Sequence, residues 1–352
     1  MSEKFLVTSS PHIHSDFKTS SIMLDVIIAL IPAGLAGIFY FGFKCLTIIA
    51  VSIISCVAFE FLWNKFMKQK TTVGDLSAVV TGLLLAYNMP PTVPVWMVVV
   101  GSLFAIIIVK QLFGGIGNNF MNPALAARAF MLASWAGVMA PSTWQSPSLF
   151  GMDSLTGATP LSILKEGGEA LERMPEMQRL FMGDVEGCIG ETSACLLLIG
   201  GIYLWMRGVI KARIPVSFIS TVAVCAFLFG GATGFVDRIE MMGWHVLSGG
   251  LFLGAIFMAT DYTTSPMTPK GQIIMGIGCG LIASLIRLKG GYPEGTSYAI
   301  LLMNVLTPLI DRYTAPRVFG TKTDRKEKME KKIMDAFKNR KSKKEAQTSG
   351  EI

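Results

Sequence analysis

The stretch Asp153-Ser-Leu-Thr-Gly-Ala-Thr-Pro-Leu-Ser162 is built to present one hydroxyl. Gly157 and Ala158 are small and leave the chain around Thr159 uncovered. Asp153 sets a carboxylate nearby that could hold a metal or orient a modifying enzyme. The same residues also make an ordinary Ser/Thr/Gly-rich loop, and on chemistry alone both readings stand. Two further clusters carry oxygen donors. Asn118, Asn119 and Asn122 lie in Gly114-Gly-Ile-Gly-Asn-Asn-Phe-Met-Asn-Pro123, and Asp261, Thr263, Thr264 and Ser265 lie in Met258-Ala-Thr-Asp-Tyr-Thr-Thr-Ser-Pro266. Amide, carboxylate and hydroxyl oxygens beside unwound backbone suit sodium. They also suit the capping of broken helices, whose freed backbone groups must be satisfied in lipid. Acids inside apolar runs are costly, which makes Glu60, Asp25 and Asp311 candidates for ion or proton handling. Asp25 and Asp311 sit near run ends, where snorkelling to the interface is the competing reading.

These residues need elements to hold them, and the elements are apolar. Of 352 residues, 51% are hydrophobic and 16% charged, with a mean hydropathy of +0.53. Soluble domains carry roughly 25% charged residues, so the balance favours an all-α polytopic membrane protein. Apolar runs at Ile22–Gly42, Cys45–Phe66, Val93–Phe113, Thr192–Met206, Ile214–Ala232 and Val246–Thr260 read as spans. The first has no small-residue cleavage site ahead of it and reads as retained. A first block at 22–139 holds five spans: the first three of its runs of full length and two shorter ones, Asp75–Asn88 and Pro123–Met139. The latter two sit beside Pro90, Pro91 and Pro123 and read as interrupted helices. A second block at 192–313 holds five more, near Thr192–Met206, Ile214–Ala232, Trp244–Thr260, Gln272–Leu288 and Thr296–Tyr313. Between them lies a polar insert, 140–191, rich in Asp and Glu; 1–21 and the basic tail 314–352 flank the whole.

Charge orients this arrangement. Lys65, Lys68 and Lys70 follow the second span, Arg207, Lys211 and Arg213 the sixth, and the lysine-rich tail the tenth. All fall on one side if both termini are cytoplasmic, which leaves 140–191 on the outer face. Such a tail reads as an anchor to anionic lipid, and without aromatic interleaving it does not read as a nucleic-acid site. The six cysteines lack close ligand spacing, and no metal or iron–sulfur site is expected from this chain alone. The blocks resemble each other, Leu83–Pro94 matching Ala255–Pro266, each followed by an apolar span and a Gly-Gly turn. Two repeats of five spans must be inverted in the membrane, and matched broken helices in inverted repeats point to a midplane site.

Asp153–Thr159 resembles the flavinylation pattern Asp-x-x-(Ser/Thr)-Gly-Ala-(Ser/Thr), with Thr156 where Ser is frequent. Ser10-Pro11-His12, Ile22-Met-Leu-Asp25 and the two oxygen-rich loops extend the likeness over about Ser10 to Pro316. Together they resemble the D subunits of Rnf complexes, the ion-translocating ferredoxin:NAD oxidoreductases, and the related B subunits of sodium-pumping NADH:quinone reductases. The short N-terminus favours the former; a B-subunit role is the nearer alternative. The resemblance implies FMN joined to Thr159 by a phosphodiester, with Asp153, Thr156, Gly157 and Ala158 as its recognition residues. It further implies a flavin transferase for maturation, electron passage from ferredoxin toward NAD coupled to sodium or proton movement, and membrane and cytoplasmic Rnf subunits as partners. The bacterial inner membrane is the implied location. Relatives also hold a non-covalent flavin such as riboflavin, whose polar groups the two loops would suit. The rival class is a passive small-solute channel, since inverted repeats with broken helices resemble urea and ammonium channels. A plain channel has no need of a flavinylation motif.

Overall fold

The apolar runs fold as helices nearly where hydropathy predicts them. A computed structural model describes residues 18–139, 144, 146–147, 157–191, 193–231, 234–292 and 294–316, and these are helices and connecting loops. The chain divides into units Met1–Tyr313 and Thr314–Ile352, and the first holds the helical core. Thr19–Phe41 (α1) and Phe43–Phe66 (α2) are joined at Gly42. Ser77–Tyr87 (α3) and Val95–Leu103 (α4) come next, α4 continuing as a wider π-helical stretch, Phe104–Gln111. Pro123–Ser134 (α5) and the turn Ala136–Met139 (α6) close the first block. The insert carries Pro160–Glu166 (α7) and Met177–Met182 (α8). Then come Ala194–Met206 (α9), Arg213–Phe229 (α10), Phe235–Leu247 (α11), Leu251–Leu253 (α12, continued by π-helical Gly254–Met258), Pro269–Lys289 (α13) and Thr296–Thr314 (α14).

By length and composition α1, α2 and α13 can each cross a bilayer, and α11 with α12 adds a fourth if counted as one bent span. At roughly 1.5 Å per residue, 21 to 24 residues exceed the hydrocarbon thickness. The run expected as one span at Trp244–Thr260 is instead broken. Helix α11 starts at Phe235, and the chain bends by 61° before Leu251. Gly249 sits at the break with φ +69°, a conformation that side chains rarely adopt.

Polarity is distributed inside out. Leu35, Phe43, Ile54, Val216 and Leu285 are all more than 60% exposed, while Glu60, Lys110, Arg128, Glu191 and Arg287 are buried. An apolar exterior around a charged interior is what a lipid solvent selects. Helix α2 packs on α3 and α4, α10 packs on α11 and α13, and α1 packs against α9. The α2–α3 crossing is close because residue 82 is glycine: a Cβ there would come 2.9 Å from the Ile53 Cα. Ser52 donates to the Gly82 carbonyl at 2.7 Å across the same contact.

Candidate functional site

Thr159 caps α7. Its backbone is extended, and its Oγ1 accepts the Ser162 backbone N–H at 3.3 Å, as expected for a threonine ahead of Pro at the first helical position. The hydroxyl is held, and the residue is only 3% exposed. Gly157 is half-buried beside it, Ala158 is exposed, and Asp153 and Thr156 lie outside the described residues. Ser146 donates to Glu186 Oε1 at 2.9 Å alongside Gly157.

A small cavity of about 10 Å³ brings Thr159 together with Trp144, Glu186, Glu191 and Glu294. Two polar atoms in this shell are buried without a partner: the Trp144 Nε1–H lacks an acceptor and Glu191 Oε2 lacks a donor. Such groups are costly unless something satisfies them. On the exposed side, Ala158 borders a groove of about 650 Å³ that includes Arg173, Arg179 and Glu186. Arg179 is engaged there by Asp184 through two hydrogen bonds of 2.9 and 2.7 Å.

Beneath this shell lies a charge cluster built from four parts of the chain. Arg128 Nη1 on α5 donates to Asn88 Oδ1 and to Glu191 Oε1, both at 2.6 Å, and Nη2 pairs with Glu294. Nη2 also contacts Cys188 Sγ at 3.6 Å, and that thiol donates to the Asn88 carbonyl at 3.4 Å. One guanidinium thus serves two carboxylates. Burial pushes the Glu294 carboxyl, in the turn between α13 and α14, up to about 7 against the opposing pull of Arg128. None of Arg128, Glu191, Glu294, Asn88 or Trp144 is among the sequence-derived candidates. One signal could have found the centre: an arginine inside the Ala-rich run of α5 must have a buried partner.

The two oxygen-rich loops meet. Asn119 Nδ2 donates to Thr263 Oγ1 at 3.1 Å, and Asn122 Nδ2 to the Met258 carbonyl at 3.3 Å. Asn122 also caps α5, accepting from the Ala124 and Leu125 N–H groups at 3.0 and 3.3 Å. The ends of α3 and of the π-helical stretch touch as well, through Asn88 Nδ2 and Met258 Sδ at 3.5 Å. Between the loops lies a cavity of about 340 Å³ lined by Asn119, Asn122, Asp261 and Thr263, with Lys110 and Ser77. Asn119 Oδ1 is buried there without a partner. Three of the predicted donors lie off this lining. Asn118 is exposed, Thr264 is buried with its carbonyl accepting from Thr307 at 2.9 Å, and Ser265 sits in the Asp261 turn.

Glu60 stands behind the cavity, and the structure pairs it. Lys110 Nζ lies 2.8 Å from Glu60 Oε2 and 2.7 Å from Ser77 Oγ, and Thr72 donates to Glu60 Oε1 at 2.5 Å. Asp25 likewise accepts from Tyr203 at 2.9 Å and Arg207 at 3.3 Å, and Asp311 accepts the Met267 N–H at 3.1 Å.

Asn122→Ala removes the α5 cap and a link between the loops. A stability loss of about 1–2 kcal/mol is expected, read as a lower melting temperature in detergent. A melt unchanged from wild type would show that the link carries no energy.

Comparison with known sequences places the chain among relatives along nearly its whole length. A family model described as the NQR2, RnfD, RnfE family matches residues 6–320. The D subunit of the Na(+)-translocating ferredoxin:NAD(+) oxidoreductase complex of Acetobacterium woodii is 54% identical over 91% of this chain and 97% of its own length. The D subunit of the proton-translocating ferredoxin:NAD(+) oxidoreductase complex of Clostridium ljungdahlii is 46% identical over 90% and 97%. The D subunit of the ion-translocating oxidoreductase complex of Escherichia coli O127:H6 is 36% identical over 90% and 98%. With the match running through both helical blocks, the insert and both loops, the chain belongs to the NQR2, RnfD, RnfE family.

Proposed function

We propose that this chain is the D-type membrane subunit of an ion-translocating ferredoxin:NAD oxidoreductase. In this reading it carries FMN through a phosphodiester on Thr159 and works with other membrane and cytoplasmic subunits of that complex. The activity follows the names of relatives that are 46% and 54% identical over nearly their whole length. The flavin assignment rests on the likeness of Asp153–Thr159 to the flavinylation pattern, and Thr159 stands as a helix cap beside two unsatisfied buried groups of opposite kind. A phosphate oxygen on Thr159 would be an acceptor within this shell for the Trp144 N–H. The 10 Å³ cavity holds no ring system, whereas the groove at Ala158 is large enough for one and offers Arg173. The bound flavin would supply one- and two-electron transfer. The residues of the chain hold, orient and shield it.

The loop cavity is assigned in the same reading to a coupling ion or to a second flavin such as riboflavin, held by Asn119, Asn122, Asp261 and Thr263. Ten membrane spans are proposed, α1 to α5 (with α6) and α9 to α14 with α11 and α12 as one bent span, forming inverted repeats of five. The matched packing of α2 on α3 and α4 and of α10 on α11 and α13 supports that division. The termini are placed in the cytoplasm and 140–191 on the outer face of the bacterial inner membrane, following the positions of Lys65, Lys68, Lys70, Arg207, Lys211 and Arg213.

The test is ultraviolet fluorescence of the denatured chain, made with a flavin transferase present. Wild type and Thr159→Ser should fluoresce, and Thr159→Val should be dark. A dark wild type, with the transferase active on another substrate, sinks the flavin reading and favours a passive channel.

A further inference from the structure

A second cavity, of about 450 Å³, lies where the ends of α10 and α13 meet α11 and α7. Neither the Thr159 shell nor the loop cavity uses it. One wall is apolar, with Leu164, Met241, Leu281 and Leu285. Leu281 and Leu285 are 52% and 65% exposed, so this wall runs out onto the outward face of α13. The other wall is cationic. Lys165 and Lys289 stand exposed on it, and Arg287 lines it while buried.

The hydrogen-bond partners of Arg287 are neutral: the His245 and Ser248 carbonyls and the Thr296 hydroxyl. No carboxylate pairs with it among the described residues, Glu191 and Glu294 being held by Arg128. Its Nε–H is buried without a partner, and so is the hydroxyl of Ser284, three residues earlier and also on the lining. Glu191 and Glu294 offset the Arg287 charge at longer range, but its Nε–H and the Ser284 hydroxyl are two idle buried donors, unfavourable until an acceptor arrives. An inorganic anion would satisfy the donors but leave the apolar wall unexplained.

We propose that this cavity binds one anionic phospholipid, its phosphate held by Arg287, Ser284, Lys165 and Lys289 and an acyl chain lying along Leu281 and Leu285. The site does not depend on flavin. It does bear on it mechanically, because Leu161, Leu164 and Lys165 of the lining belong to α7, which Thr159 caps.

The full-length chain in detergent is titrated with phosphatidylglycerol or phosphatidylcholine, and retained lipid is counted by native mass spectrometry. A cation beside an anionic lipid surface contributes roughly a five-fold change in affinity. Lys165→Gln/Lys289→Gln should therefore lower phosphatidylglycerol retention roughly 5–25-fold and leave phosphatidylcholine unchanged. Both lysines are exposed, so this variant keeps the fold, whereas Arg287 also ties α13 to α11. Selective loss in the double variant, with retention surviving excess inorganic phosphate, supports the site. Equal retention of the two lipids by wild type, no loss in the variant, or full displacement by inorganic phosphate would each overturn it.

Discussion

Arg128→Leu should destabilise the protein by about 3–5 kcal/mol, the cost of removing one partner from a buried ion pair. Two carboxylates lose their counter-ion at once, since Arg128 holds both Glu191 and Glu294 and also bonds Asn88. Arg128→Lys should rescue little, because an ammonium lacks the planar fork that reaches three acceptors in fixed directions. Melting in detergent reads the effect. Arg128→Leu combined with Glu191→Gln and Glu294→Gln should recover part of the loss, as the uncompensated charges are then gone. Wild-type melting of the single variant would mean that the cluster is solvated. The same cluster sets a pH trend. With its folded-state value up near 7 against an ordinary 4.5, Glu294 binds its proton more readily in the folded chain than in the unfolded one. Its contribution to stability is therefore greatest below about 4.5 and is lost as pH rises through about 7. Glu294→Gln should flatten that slope.

Lys110→Met should be comparably damaging, at about 3–5 kcal/mol, because it strands Glu60 among Thr72, Asn64 and Ser77. The double variant Lys110→Met/Glu60→Gln should fall within about 1.5 kcal/mol of wild type, since a neutral pair of similar volume needs no counter-ion. A double-mutant cycle on melting temperatures measures the coupling. Additive losses would show that Glu60 and Lys110 act separately, and would return Glu60 to the role of an independent acid. Strong coupling makes Glu60 a fixed partner of the cavity wall, with Lys110 as the group that faces the cavity.

Much of the architecture is legible in the linear chain because helices depend on neighbours. Apolar runs of about 20 residues mark α1, α2 and most of α13 before any contact is known, and the proline at 123 marks the shorter α5. The break after α11 is less visible. Ser248-Gly249-Gly250 interrupts a run that hydropathy reads as continuous, and only the positive φ of Gly249 shows the chain turning there. The candidacy of Thr159 is likewise local, read from the spacing of Asp153, Gly157, Ala158 and the hydroxyl itself.

The surroundings of that hydroxyl are not local. Glu191 lies 63 residues from Arg128 and Glu294 lies 166, and nothing in composition or period says which acid meets which base. Opposite charges excluded from water select one another by distance in the folded core, whatever their separation along the chain. The meeting of Asn119 with Thr263, 144 residues apart, has the same origin. Thus the chain's own order determines which segments are helical and picks out Thr159 as the candidate hydroxyl. Packing determines that Glu60 is paired, that Asn118 and Ser265 lie off the cavity, and that Thr159 shares a small cavity with the two acids held by Arg128. Helix formation is set within a few residues, while a buried charge is satisfied only by whatever the completed fold brings within hydrogen-bond reach.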